Sequence, residues 1–179
     1  MNPPVQLSTD RLILRPLRDS DLEPLGRITA DPRVMPDLPA PPQSEALVQR
    51  NAAHFAAHGF GLWAVEAAGR APFVGLAGLW QLCGQMPVGP CVEIGWRLDP
   101  SHWGRGYATE AATALLAFAF RTARLDEVVG FTVDHNHRSR RVMEKLGMRL
   151  EVLEPGARPG RDGQPIETVT YGLALLPRG

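Results

Sequence analysis

The sequence predicts a mixed α/β domain of the α+β kind, and three observations carry that expectation. Strand-like runs follow one another at Phe60 to Ala67, Phe73 to Leu82 and Cys91 to Leu98 with no helix between them. Four further segments carry helical signals, which suits a mixed sheet with helices on both faces. Regular βαβα alternation is absent, which disfavours a pure Rossmann sheet. At 179 residues the chain is long enough to bury one core and short for two, so residues 1–179 are expected to form a single domain.

The elements follow in order. Arg11 to Leu17 alternates basic and apolar residues and reads as an edge strand closed by Pro16. Asp19 or Ser20 then caps a helix through about Ala30. Asp31 to Pro42 carries five prolines and is expected to be an irregular loop. Ser44 opens a second helix through about His58, stopped by Gly59. Gly69 to Pro72 separates the first two strands of the central run as a hairpin turn, and the Gly/Pro-rich stretch Gly84 to Pro90 separates the last two. Ala108, Ala111, Leu115, Phe118 and Thr122 recur at helical spacing, giving a helix to about Arg124. A strand at Glu127 to Val133 precedes a short helix from about Arg138 to Leu146, which stops at Gly147. Strands at Met148 to Leu153 and Ile166 to Leu176 close the chain, joined by a flexible surface connection from Pro155 to Pro165.

Composition narrows the function classes. Nineteen basic and nineteen acidic residues give no net charge, so no nucleic-acid or membrane-surface partner is implied. The longest apolar stretch, Ala111 to Phe120, is far shorter than the roughly 20 residues that span a bilayer. Met1 to Pro4 lacks the basic and apolar regions of a signal peptide, which favours a cytoplasmic setting. Cys83 and Cys91 have neither metal nor redox spacing and read as small buried hydrophobes. His54 and His58 stand four apart but lack the Glu of a zinc-protease helix and a third ligand, and His135-Asn136-His137 lacks partners too. No metal site is expected.

The most informative stretch is Trp103-Gly104-Arg105-Gly106-Tyr107-Ala108, two glycines in a turn between an apolar strand and a long helix. Glycine admits φ angles that a Cβ forbids and lets backbone pass close to a ligand. The unpaired N–H groups of the next helical turn then face that ligand, aided by the helix dipole. Alternatively the turn only lets the helix pack close to the sheet. The dinucleotide fingerprint fails at Thr109, and no P-loop run is present.

Three segments in order carry a resemblance: Val92 to Pro100, Trp103 to Ala111, and Asn136 to Gly147. Together they resemble the GNAT N-acetyltransferase superfamily, in particular the branch of the RimJ and RimL ribosomal-protein N-acetyltransferases, from Arg11 to about Leu175. The resemblance implies an acyl-CoA N-acyltransferase fold whose mixed, mostly antiparallel sheet is splayed at its middle. It implies acetyl-CoA as co-substrate and direct transfer to a primary amine, either on a small molecule or at a protein N-terminus. A homodimer is compatible with it.

By that resemblance the amides of Gly104, Arg105, Gly106, Tyr107, Ala108 and Thr109 wrap the pyrophosphate of acetyl-CoA. Trp103 stands where the family's turn begins with Gln or Arg, which leaves open how the turn is braced. Arg105 either adds a charged contact or is solvated. The strand through Gly95, Trp96 and Leu98 pairs with the pantetheine arm, and amides near Gly95 and Trp96 polarise the thioester carbonyl. Gly95 is either clearance for that ligand or a bulge. Glu93 is the candidate base that takes the ammonium proton, or else an outward-facing strand residue; His102 and His135 are runners-up. Met143 occupies the usual Tyr position and has no proton to give, so Ser139 is the candidate acid toward the thiolate. Asn136 either orients the pantetheine or caps the short helix. Arg138, Arg140 and Arg141 form a basic cluster beside it that either reaches a phosphate or is solvated. The acceptor is expected to enter beneath the loops Asp31 to Pro42 and Pro155 to Pro165. A non-catalytic CoA-binding sensor or interaction module is the alternative reading, for which Met143 is the argument.

Overall fold

The computed structural model describes residues 5–34, 44–82, 90–159 and 165–174. Its elements are β1 (Leu7–Ser8), β2 (Leu12–Arg15), α1 (Leu22–Ala30), α2 (Ser44–His58), β3 (Leu62–Ala67), β4 (Ala71–Leu82), β5 (Cys91–Leu98), α3 (Tyr107–Arg121), β6 (Glu127–Val133), α4 (His137–Lys145), β7 (Arg149–Pro159) and β8 (Pro165–Ala174). The strands form one eight-stranded sheet in the order β1-β2-β3-β4-β5-β6-β8-β7. Every neighbouring pair is antiparallel except β5 and β6. Those two run parallel and are in register at a single pair, Glu93 opposite Val129. Beyond that point they part, so the sheet is split toward the C-terminal ends of both strands.

Alternation along the strands assigns the two faces. Val92, Ile94 and Leu98 of β5 are buried with Tyr107, Ala111, Leu115 and Phe118 of α3 in the main core, and α4 adds Met143 on the same face. A smaller cluster on the opposite face joins Leu76 of β4 to Leu25 of α1 and Leu47 of α2. Met143 lies against β6 at Gly130, where a Cβ would come to 3.0 Å from its Cε. Glycine there lets α4 settle close to the sheet.

Most expected elements appear, with local corrections. The run Arg11 to Leu17 supplies β2, which is not the edge because β1 pairs outside it. The Asp19 to Asp21 segment forms a 3-10 turn, and α1 starts only at Leu22. The connection expected to be flexible is largely strand: β7 continues to Pro159 and pairs through Arg158 with Ile166. As the outermost strand it tolerates Pro155 and Pro159, since one side of its backbone has no ladder to break. Most of the proline-rich loop, the Gly84 to Pro90 turn and Cys83 lie outside the described residues. Among the described residues no helix is long and apolar enough to cross a membrane.

Two buried polar groups tie the layers together. Arg15 is 2% exposed. It donates to both oxygens of Asp21 at 2.7 and 2.9 Å, to Glu66 at 3.0 Å, and to the carbonyls of Pro16 and Pro72. All five guanidinium N–H groups are thereby used. His54 of α2 is 8% exposed; its Nδ1–H donates to the Phe60 carbonyl at 2.7 Å and its Nε2 accepts from the Gln81 amide at 2.9 Å. These partners require the neutral ring, and burial lowers its pKa, with the Phe60 contact opposing and His58 assisting.

Arg15→Ala strands Asp21 in the interior and is expected to reduce the unfolding free energy by about 3–5 kcal/mol, read from urea denaturation. For His54 the unfolded chain binds the proton more readily than the folded one. Its contribution is therefore intact above the ordinary imidazole value of 6.5 and declines as pH falls below it toward the lowered folded value. Thermal melts between pH 8 and pH 5.5 are expected to show that decline, and His54→Gln, which bonds without titrating, to flatten it.

Candidate active site

The site is built around the C-terminal end of β5. Asp99 caps the following 3-10 turn by accepting the Ser101 amide at 2.8 Å. Gly104 and Gly106 take φ of 75° and 81°, and Gly106 is the residue from which α3 starts. The first helical bond runs from the Glu110 amide to the Gly106 carbonyl at 3.0 Å. Amides from Gly104 to Thr109 donate to no described residue. This is a concave run of N–H groups at a helix N-terminus, the arrangement that binds anions without side-chain charge.

Two contacts brace that turn. The Trp103 indole N–H donates to the Leu98 carbonyl at 2.8 Å, fastening the turn to the strand before it. The Arg138 guanidinium of α4 lies 4.4 Å from the Trp103 ring centroid, so the turn and α4 face each other across the split. On the other side, Glu110 receives the Thr9 hydroxyl at 2.6 Å, the Arg11 amide at 3.0 Å and the Arg11 guanidinium at 2.5 and 2.7 Å. Arg11 also donates to the Arg105 carbonyl at 3.0 Å. Burial opposes ionisation of Glu110, but the Thr9 and Arg11 bonds outweigh it and hold the carboxyl below its usual value. Arg105 is exposed, and among the described residues its side chain reaches only the Ser101 carbonyl at 3.5 Å.

Along β5 the candidates divide between the faces. The side chains of Trp96 and Leu98 pack toward the α3 core, so only their backbone faces the split. Gly95 pairs regularly with Gly78 and forms no bulge. A Cβ on Gly95 would meet nothing within 4 Å, so open space lies above it on the α1/α2 face. Glu93 and Arg97 flank that space on the same face, opposite Trp80 and Leu76 respectively. The Arg97 side chain makes no hydrogen bond or ion pair with any described residue. Burial lowers its pKa, and Glu93 offsets this only in part. Across the sheet, Glu93 is level with Val129 and Gly172. The Glu151 side chain fills the position that a Cβ on Gly172 would need, and its carboxyl is raised by burial and then by Glu127.

On α4, Asn136 is the N-cap. Its Oδ1 accepts the Ser139 amide at 3.2 Å and its Nδ2 donates to the Ser139 Oγ at 3.1 Å. The Ser139 hydroxyl hydrogen is thus left for another acceptor. Arg140 is occupied by Asp134 at 2.6 Å and by Tyr171 at 3.2 Å, which leaves Arg138 nearest the turn. His102 follows the far end of β5 from Glu93, and His135 is exposed before α4. Sequence reasoning overlooked Arg97, although residues four apart on a strand share a face. Nothing local in the sequence signals the Arg11 to Glu110 clasp or Glu151.

Split sheet, crossover helix and amide-lined turn define a protein class: a mixed α/β fold with a glycine turn of unpaired amides at the mouth of a divided sheet. The chain belongs to the GNAT acetyltransferases, whose acetyltransferase (GNAT) domain matches residues 11–149. It is 34% identical over 152 residues to YkkB of Bacillus subtilis, covering 83% of this chain and 87% of that one. The crystal structure of a GNAT-family acetyltransferase from Bacillus anthracis matches with TM-score 0.81 at 26% identity, over 95% of this chain and 98% of that one. The fold also matches RimL, a ribosomal L7/L12 alpha-N-protein acetyltransferase in complex with coenzyme A, with TM-score 0.78 at 17% identity, over 96% and 98% of the two chains.

The amides from Gly104 to Thr109 form an array suited to an anion, and GNAT acetyltransferases use acetyl-CoA. Gly106→Ala forces an L-residue into a left-handed conformation beside the Arg11 guanidinium, 3.4 Å from the new Cβ. It is expected to weaken coenzyme A binding at least about tenfold by calorimetry, with a stability loss of only about 1–2 kcal/mol.

Proposed function

We propose that the chain is a single N-acetyltransferase domain of the RimJ/RimL-like branch, moving acetyl from acetyl-CoA directly to a primary amine. The observation that carries this reading is the run of amides from Gly104 to Thr109 that donate to no described residue, at the mouth of a split whose floor presents Glu93. Acetyl-CoA supplies the acetyl group as a thioester. Backbone of Gly104, Arg105, Gly106, Tyr107, Ala108 and Thr109 holds its phosphates, and Arg138 lies close enough to add charge. Backbone of Gly95, Trp96 and Leu98 along the open edge of β5 holds the arm, and amides near Gly95 and Trp96 polarise the thioester carbonyl. Asn136 acts through Ser139, fixing the hydroxyl that donates a proton toward the departing sulfur. Met143, buried against Gly130, takes no part in that proton transfer.

An alkylammonium must lose a proton before it attacks, and Glu93 accepts it directly or through one water. Holding amine and thioester together over Gly95 supplies much of the remaining rate. Cys83 and Cys91 stand without disulfide or metal spacing, which supports a cytoplasmic setting.

Thiol release with a panel of primary amines tests the reading. Turnover is expected on at least one, whereas tight acetyl-CoA binding with no turnover on any would favour a sensor. Glu93→Gln is expected to lower kcat/KM about 100-fold at low pH and less at high pH, where the amine deprotonates unaided, with coenzyme A affinity retained. An unchanged pH–rate profile would remove Glu93 from the role.

A further inference from the structure

We infer that Arg97 is the docking point for a carboxylate on the acceptor, so that the acceptor is a small amino carboxylate of the amino-acid type. This rests on the acetyl-transfer reading of the same site. Glu93, Gly95 and Arg97 succeed one another on the α1/α2 face of β5, each about 6.5–7 Å from the next along the strand. Gly95 supplies a floor with open space above it. Glu93 bounds that space at one end and Arg97 at the other.

The charges on this face are polarised. Glu93 stands level with Gly172, which Glu151 covers, and Glu127 influences both Cys91 and Glu151. At the other end Arg97 lies opposite Leu76, which belongs to the apolar cluster of Leu25 and Leu47. Arg97 is only partly exposed, and its side chain makes no ion pair or hydrogen bond with a described residue. Among the residues whose burial is described, the other partly or fully buried arginines are satisfied: Arg15 by Asp21 and Glu66, Arg140 by Asp134. A guanidinium withdrawn from water stays charged, and it is stabilised by an anion that enters with it. Carboxylate is the planar, two-oxygen partner its fork fits. An acceptor with an ammonium and a carboxylate then places the ammonium at the acidic end, beside Glu93, and the carboxylate at Arg97. Arg97 is thus a specificity determinant, separate from the proton path.

The test compares L-amino acids with their C-terminal carboxamides as acceptors, alongside dipeptides with Asp or Asn after the free amine. Wild type is expected to favour the carboxylate member at least about tenfold in kcat/KM, mainly through KM. Arg97→Met is expected to bring that ratio close to one, and Arg97→Lys to keep part of it, which separates charge recognition from a damaged fold. Preference for the free amino acids assigns the carboxylate to a small molecule, and preference for the Asp dipeptide over the Asn one assigns it to a peptide side chain and overturns the amino-acid class. An equal ratio in wild type, or a ratio unmoved by Arg97→Met, overturns the role of Arg97. Should no acceptor be turned over, the transferase reading fails by itself. Calorimetry with the same pairs on coenzyme A-saturated protein then decides Arg97: selective carboxylate binding lost in Arg97→Met supports it, and equal binding overturns it.

Discussion

The parallel register of β5 and β6 at one pair, Glu93 with Val129, is the constraint from which the rest of the site follows. Two parallel neighbours need a crossover, and α3 is that crossover. The turn that enters α3 must lie at the C-terminal end of β5, which is also the end where the strands part. Anion-binding amides and the open edge of β5 therefore share one mouth. The same logic places ligands at the carboxyl ends of strands in parallel sheets generally. Here it acts through the single parallel pair of an otherwise antiparallel sheet.

Holding such a mouth open requires restraint from both sides. Glu110 sits in the first turn of α3 and is gripped by Thr9 and Arg11 from the turn between β1 and β2, which pins the start of α3 to the sheet. Trp103 ties the turn back to Leu98 and offers its ring to Arg138. Its hydrogen bond supplies the bracing for which the family pattern has Gln or Arg. The two faces then differ in character. The α3 face is an apolar core with backbone donors at its rim, whereas the α1/α2 face carries the ionisable groups around Gly95.

What the sequence disclosed was what is encoded locally. Cys91 to Leu98 and Glu127 to Val133 are legible at their observed bounds because these apolar, β-branched runs are flanked by Pro90, Asp99, Asp126 and Asp134. The glycine turn was legible because only a positive φ or close approach makes two glycines useful there. Arrangement across the sheet was not legible. Nothing within Pro165–Ala174 says that it pairs with β6 as well as β7, and the two residues of β1 are too short to carry a pattern. Glycine and proline in β7 misled for a physical reason: they argue against a central strand but not against an outermost one. In the candidate site, backbone donors and Glu93 are visible in the motif, while Arg97 gains meaning only from the fold, which leaves its side chain without an ion-pair partner among the described residues.

The strand order also bears on how the molecule is assembled. β8 lies between β6 and β7, so one wall of the split has only its crossover helix and α4 for support until residues 165–174 emerge from the ribosome. β7 is synthesised before β8 but cannot join the sheet without it. Pairing across such sequence separation is slow, because loop closure precedes any gain from the contacts. The nascent chain thus holds the amide-lined turn well before it holds a stable pocket wall, and a chain cut short before β8 leaves β6 as an unprotected edge, open to pairing with other nascent strands.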